Sequence, residues 1–408
     1  MALIVQKYGG TSIRDLERIT NVAKRIVKCR NEGNKVVVVV SAMAGETDRL
    51  IGLAKAIHEI PNEREMDVLV STGEQVTIAL LAITLESMGY PAKSYCGWQI
   101  PLVTDNAFGS ARIEEVNEAA ILADLNAGRI VIVAGFQGVD REGRITTLGR
   151  GGSDTSAVAV AAALRADRCE IYTDVDGVYT TDPNISRKAR KLKKVAHEEM
   201  LEMASLGAKV LATRAAEFAM RYDVPLMILS SFNMAEGTLV TKEDWEMEKE
   251  TVTAVTCNTK EAKITLAGVE DRPGVASRLF SGLAEANIVV DMIIQNASAQ
   301  GITDISFTIP EADLAKAMAI VESLKDSIGA KDMRGADDIA KVSIIGLGMR
   351  SHSGVAARMF TALAREGINI EMISTSEIKI SCVINRKYAE LAVRALHDCF
   401  ELDKTPRA

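Results

Sequence analysis

The chain opens on Leu3-Ile4-Val5-Gln6-Lys7-Tyr8-Gly9-Gly10-Thr11-Ser12, a short apolar run that meets a lysine, two glycines and two hydroxyl residues. The run predicts a buried strand. Ile13, Leu16, Ile19, Val22 and Ala23 then recur at helical spacing. Val36 to Val40 is an unbroken β-branched run, the signature of a strand buried on both faces. It ends at Ser41-Ala42-Met43-Ala44-Gly45, with a helix predicted from the capping residues Thr47 and Asp48. Val68-Leu69-Val70-Ser71-Thr72-Gly73-Glu74-Gln75 leads into a further helix. Strands are predicted at 92–96, 129–136 and 169–173, and a single long helix at 197–222. A last strand at 224–230 is expected to close the sheet. Strands alternating with helices predict an α/β fold, with a mainly parallel sheet sandwiched by helices.

Residues 241–250 hold seven charged side chains in ten and mark a linker. Beyond it the chain repeats itself. Asp271-Arg272-Pro273-Gly274-Val275-Ala276 aligns with Ser351-His352-Ser353-Gly354-Val355-Ala356, an offset of 354 − 274 = 80. Each copy reads strand, loop, helix, strand, strand, helix. Such units resemble ACT domains, ferredoxin-like βαββαβ modules that bind amino acids. The second copy ends without a last strand, and residues 251–257 are expected to supply it. The expected division is 1–240 catalytic, 241–250 linker, 263–340 first ACT domain, and 251–262 plus 341–408 second ACT domain.

Composition narrows the class. The chain has 408 residues, 48% of them hydrophobic, and a net charge of −7. That balance argues against a general nucleic-acid binder and suits a cytoplasmic enzyme. The N-terminus lacks a signal-peptide pattern, and no apolar run approaches bilayer length, so no membrane partner is expected. Six scattered cysteines without CxxC read as buried or incidental thiols. Four histidines show no zinc spacing and read as solvent-facing or helix-end residues, so no protein-held metal is expected.

Two glycine turns carry the candidate chemistry. Strand, Gly9-Gly10, helix start is the geometry in which backbone N–H groups cradle phosphate, with Lys7 as a point charge. The second is Gly149-Arg150-Gly151-Gly152-Ser153-Asp154-Thr155, whose Arg can grip a carboxylate or phosphate. Ser71-x-x-Glu74 fits a capping box, or Glu74 faces the cleft as partner for an ammonium; the spacing leaves both open. The basic run 187–194, six cations in eight, reads as a solvated loop or a lid over a triphosphate. There is no GxxxxGK[ST], and Gly346-Leu347-Gly348 lacks the third glycine of a dinucleotide site.

Together Lys-Tyr-Gly-Gly-Thr-Ser, Val-Ser-Ala-Met, Ser-Thr-Gly-Glu, Gly-Arg-Gly-Gly-Ser-Asp, Thr-Asp-Val-Asp-Gly-Val-Tyr and Gly-Ala-Lys-Val-Leu, followed by the two repeats, resemble the aspartokinases of the amino-acid-kinase family over essentially the whole chain. The resemblance implies transfer of the ATP γ-phosphoryl group to the side-chain carboxylate of L-aspartate. That reaction is the entry to lysine, threonine and methionine synthesis. It implies Lys7 and Asp154 as catalytic residues. Ser41, Thr47, Glu74, Arg150, Gly151, Gly152 and Ser153 would bind aspartate. Lys7, Tyr8, Gly9, Gly10, Thr173, Asp174, Tyr179, Asn184, Lys209 and Val210 would bind ATP, with Mg²⁺ mainly on its phosphates.

For regulation the resemblance implies lysine and/or threonine as effectors. Their expected contacts are Asp271, Gly274, Ala276, Asp291, Gln295, Asn369, Ile370 and Glu377, with Asp291 and Glu377 meeting an ammonium. A homo-oligomer, or a hetero-oligomer with a regulatory chain, is expected through the ACT domains. Tyr8 stands where the family usually has Phe, Asn184 where it often has Arg, and Ser353 where the first copy has Pro273. The rival readings are an amino-acid kinase with another acceptor such as glutamate, an amino-acid sensor with an inactive kinase half, and a dehydrogenase under ACT control.

Overall fold

The computed structural model describes residues 1–208, 210–245, 247–296 and 301–404. Two compact units emerge: Met1–Tyr179 with Lys191–Met247, and Thr180–Arg190 with Glu248–Ala408. The second thus takes in an eleven-residue stretch from inside the predicted catalytic half.

The first unit contains, in order, β1 (Leu3–Tyr8), α1 (Leu16–Asn31), β2 (Lys35–Val40), α2 (Glu46–Ile57), α3 (Glu63–Val70), α4 (Thr72–Ser87), β3 (Ala92–Tyr95), β4 (Leu102–Thr104), β5 (Ile113–Val116), α5 (Ala119–Asn126), β6 (Ile130–Ala134), β7 (Gln137–Asp140), β8 (Ile145–Thr147) and α6 (Gly152–Ala163). It continues with β9 (Arg168–Thr173), β10 (Lys194–Ala196), α7 (His197–Ser205), α8 (Thr213–Tyr222), β11 (Leu226–Ser230) and β12 (Thr238–Thr241). The main sheet runs β10-β12-β11-β9-β1-β2-β6-β3. From β11 to β3 every neighbour is parallel, so β1, β2, β6, β9 and β11 finish on one edge. A smaller sheet, β5-β4-β7-β8, stands beside it.

Alternation of side chains decides what lies on each face. Tyr8, Val36, Val38, Val40, Ile130 and Ile132 share a core with Ile19, Ala23 and Ile26 of α1 and with Ile78, Leu81 and Leu85 of α4. Lys7, one position off, meets Asp154 of α6 on the other face.

The second unit holds two four-stranded sheets. Its elements are β13 (Ala254–Asn258), β14 (Glu261–Glu270), α9 (Val275–Glu285), β15 (Ile293–Gln295), β16 (Ile302–Pro310), α10 (Leu314–Leu324), β17 (Asp332–Ala336), β18 (Ile339–Ile345), α11 (Val355–Arg365), β19 (Ile370–Thr375), β20 (Lys379–Asn385) and α12 (Ala389–Cys399). The sheet orders are β15-β16-β14-β17 and β13-β18-β20-β19, so β13 is the fourth strand of the second repeat's sheet. The repeats brace each other. Asp291 pairs with the buried Lys341, and Glu371, at the same place in the repeat, pairs with Lys263. Lys341 also holds Glu261 at 2.5 Å.

Several expectations change. Residues 197–222 form two helices, because the turn after α7 takes Gly207 to a positive φ of 104°. β11 is internal to the sheet, with β12 and β10 beyond it. α2 begins at Glu46 on the left-handed Gly45, which places Thr47 in the first turn instead of at the cap. α3 and α4 run nearly end to end, so Glu63–Ser87 is long and apolar enough to cross a membrane by length and composition, with a mean hydropathy of 1.7. Gly73, Glu74, Thr77, Ile78, Leu81 and Leu85 of α4 are nonetheless buried inside the protein. His197 and His397 are buried instead of solvent-facing. The basic run is engaged in ion pairs: Lys188 with Asp398, Arg190 with Glu250, Lys191 with Asp176 and Lys194 with Asp244. Gly346 and Gly348 allow close approach of chain to chain. A Cβ there would sit 2.5 Å from the Thr251 carbonyl and 2.6 Å from that of Glu250.

Candidate active site

The shared edge of β1, β2 and β6 gathers one group of predicted residues. β1 ends at Tyr8 and leads into Gly9, after which Gly10–Ile13 forms a short 3-10 turn. Gly10 lies so close to the loop after β2 that a Cβ would stand 2.9 Å from the Ala42 carbonyl. A Cβ on Gly9 would approach the Lys7 ammonium at 3.3 Å. Both glycines therefore keep backbone and cation exposed to one small volume. The Lys7 Nζ lies 2.5 Å from Asp154 Oδ1, and both side chains are close to nine-tenths buried. Asp154 sits in the first turn of α6, whose N-terminus is capped by the left-handed Gly151. The Asp154 Oδ2 also accepts from the Ala212 N–H at 3.4 Å. Just after β6, Gly135 leaves room for Ser153, whose Oγ would be 2.9 Å from a Cβ there.

Glu74 is carried in from α4. The capping-box alternative fails, because Ser71 Oγ donates to the Val68 carbonyl. Glu74 instead accepts the Ala42 N–H at 2.9 Å, next to Ser41. Gly73 makes this approach possible, since a Cβ there would stand 2.8 Å from the Ala42 Cβ. Glu74 is 2% exposed, and its second oxygen, Oε2, has no partner. Burial pushes its carboxyl up to about 7, against the pull of the Ala42 and Glu74 N–H groups. A buried carboxylate with one free oxygen is a receptor for a cation.

Arg150 is exposed between Gly149 and Gly151, both at positive φ. Its loop is anchored by a residue that the sequence reading missed. Asp67 of α3 is 1% exposed and accepts the Gly109 N–H at 2.9 Å, the Thr147 N–H at 2.9 Å and the Thr147 hydroxyl at 2.6 Å. Arg214 adds bonds to the Leu148 and Ala111 carbonyls. The only sequence signal for Asp67 was its place three residues before Val70, on the buried face of the same helix.

Thr173 ends β9, beside β1, with Asp174 directly after it, and the Thr173 hydroxyl donates to Asp174. The Tyr179 hydroxyl donates to Asp176 at 2.8 Å, and burial and that carboxylate push it up to about 12. Val210 lies two residues before Ala212, whose Cβ would meet a Gly151 Cβ at 2.3 Å. Lys209 lies outside the described residues.

Two nucleotide candidates engage other parts of the chain. Tyr8 is fully buried and its ring stacks on Tyr172 at 4.6 Å, so it reaches the edge only through the backbone leading to Gly9. Asn184 belongs to the second unit's Thr180–Arg190 stretch, where Asp182 accepts from its backbone and side chain.

Among the effector candidates, Gly274 caps α9 at a φ of 94°, as Gly354 caps α11 at 85°. Asp271, Gln295 and Asn369 are exposed, and Ala276 and Ile370 half-buried. Asp291 and Glu377 already face cations of this chain. Lys341 occupies Asp291, and Arg350 lies 3.7 Å from Glu377.

The family model described as the amino acid kinase family matches residues 2–230, and an ACT domain model matches 264–323 and 342–400. The aspartokinase of Pseudomonas aeruginosa is 58% identical, with 100% of this chain and 99% of the relative covered. The aspartokinase of Thermus thermophilus is 51% identical over 99% of this chain and 100% of its own. Among solved structures, E. coli aspartokinase III in complex with aspartate and ADP, in its R-state, superposes with a TM-score of 0.83 at 28% identity, covering 97% of this chain and 99% of that one. The same enzyme in complex with lysine and aspartate, in its T-state, gives 0.76 at 28% identity, with 97% and 99% covered.

Proposed function

The chain belongs to the amino acid kinase family and carries ACT domains, and from that premise we propose that it transfers the ATP γ-phosphoryl group to the side-chain carboxylate of L-aspartate, giving 4-phospho-L-aspartate. The observation that carries the reading is the free buried oxygen of Glu74, set beside the loop that also meets Gly10. An amino-acid ammonium pairs with that oxygen, and Arg150 takes the α-carboxylate. This leaves the side-chain carboxylate as nucleophile. It is ionised at neutral pH and needs no general base, so the site's work is positioning and charge stabilisation.

Lys7 neutralises the phosphoryl group in transfer, and Asp154, 2.5 Å away, fixes its ammonium. Gly9, Gly10 and the N–H groups of Gly151 to Ser153 line the oxyanions. Ser41 and Thr47 help hold aspartate. The nucleotide rests on Thr173, Asp174, Tyr179 and Val210, with Lys209 completing the set. Mg²⁺ would be held mainly by the phosphate oxygens of the nucleotide and would supply neutralisation of their charge. The donor set suits that division, because the carboxylate nearest Lys7 is already engaged by it.

Regulation is by lysine and/or threonine at the ACT repeats, and the lysine complex of the E. coli neighbour supports lysine. The ACT repeats also serve assembly, as a homo-oligomer or with a regulatory chain, in the cytoplasm. The test is ATP turnover with L-aspartate against L-glutamate, trapping the acyl phosphate with hydroxylamine, with lysine and threonine added singly and together. Aspartate-dependent hydroxamate that falls with an effector is the expected result. Hydroxamate with glutamate alone reassigns the acceptor. None with either, alongside amino-acid binding, makes the chain a sensor.

A further inference from the structure

The face of the main sheet opposite Lys7 holds a cavity of about 240 Å³ whose lining has a one-sided charge. Arg18, Asn21 and Arg25 stand three and four residues apart on one face of α1 and form one wall. Ser12, Ser231 and Phe232 form the other. No carboxylate is among the described lining residues.

The two arginines differ in what holds them. Arg25 donates to the Ser230 carbonyl at 3.2 Å and the Asn233 carbonyl at 2.7 Å, and stands 5.6 Å from the Tyr172 ring centroid. Carbonyls fix that guanidinium without cancelling its charge. The Arg18 guanidinium carbon sits over Phe232, 4.5 Å from the ring centroid. Stacking aims a guanidinium while leaving its N–H fork available, and a fork of that kind matches an oxyanion. The Ser12 and Ser231 hydroxyls are 2.5 Å apart; whichever donates to the other spends its only proton, so one O–H of the pair remains to donate to an oxyanion.

We propose that this cavity is a binding site for a small dianionic oxyanion of the phosphate class. The site is separate from the edge that Lys7 serves. Tyr8 and Tyr172 belong to the α1 core, whereas Lys7 meets α6 on the reverse face. It is nevertheless wired to that edge. Ser12 N–H donates to the Gly9 carbonyl at 2.9 Å, and Ser231 N–H to the Thr173 carbonyl at 2.8 Å. An oxyanion bridging Arg18 to the two serines ties the turn after β1 to the turn after β11, and so tunes the phosphate turn from behind.

The test uses the full-length chain with Mg²⁺, a non-hydrolysable ATP analogue and L-aspartate at saturation, so that the place of the transferring phosphoryl group beside Lys7 is filled. Inorganic phosphate is the probe. Its binding is read by the indole fluorescence of F232W against the unsubstituted chain, and by the melting temperature of the unsubstituted chain and R18Q. The expected result is a saturable phosphate response whose Kd rises about tenfold or more in F232W/R18Q, the loss of one charge-assisted contact. R18Q alone keeps its circular dichroism and its turnover in phosphate-free buffer. An equal Kd with and without Arg18, or no saturable response, overturns the assignment.

Discussion

Glu74 concentrates the cost and the use of the site in one carboxyl group. In the folded chain burial holds it at about 7, whereas the ordinary glutamate value is 4.5. Between those values the folded state binds the extra proton. Stability therefore falls as pH rises through the window, by up to roughly 3 kcal/mol. E74Q removes that slope, which a series of urea melts from pH 4.5 to 8 reads directly. The same substitution leaves the substrate ammonium without its counter-charge. The KM for aspartate is expected to rise about a hundredfold, and for the unsubstituted chain to rise as pH drops below about 7. Lys7 acts on the other quantity. K7M is expected to lower kcat by about 10² to 10³, the usual effect of removing a group aimed at transition-state charge, with the KM for aspartate nearly unchanged. Steady-state kinetics that found only a KM effect would take Lys7 out of the transfer step.

The glycine loop ahead of α6 depends on supports that its own sequence does not reveal. Asp67 satisfies two backbone N–H groups and a hydroxyl from α3. D67A strands those donors and is expected to cost about 2–4 kcal/mol in chemical denaturation, together with weaker aspartate binding. Retained stability with weakened binding would make Asp67 a substrate contact instead of an anchor. Elements with a repeating pattern were legible in the sequence. The β-branched run of β2, the glycine turn after β1 and the duplicated Gly274 and Gly354 helix starts each follow from local chemistry. What stayed hidden depended on partners distant in sequence. The split of 197–222 turned on the backbone angle of one glycine. The role of Glu74 turned on the amide of Ala42, thirty-two residues away. The ring of Tyr8 went inward because strand alternation puts it on the face opposite Lys7.

At the scale of the whole molecule, the two repeats are held by acids that each reach a lysine on the other repeat. Lys341 is 3% exposed between Glu261 and Asp291, so K341A leaves a buried carboxylate unpaired. The expected loss is about 3–5 kcal/mol in the second unit, and adding E261Q restores most of it. Calorimetry reads this as an early transition that the double substitution removes. The second unit also contains Thr180–Arg190, where Ile185 packs into the second repeat's core, Thr180 accepts the Val255 N–H and Thr180 Oγ1 lies 2.9 Å from His397 Nε2. During synthesis on the ribosome this stretch emerges long before the second repeat does, so Ile185 must wait for that repeat's core to form. A C-terminal piece translated from Met247 has the reverse problem, because it carries the receptacle without its plug. Such a piece would fold with the patch that Ile185 covers left open to solvent, and a synthetic peptide of residues 180–190 should raise its melting temperature.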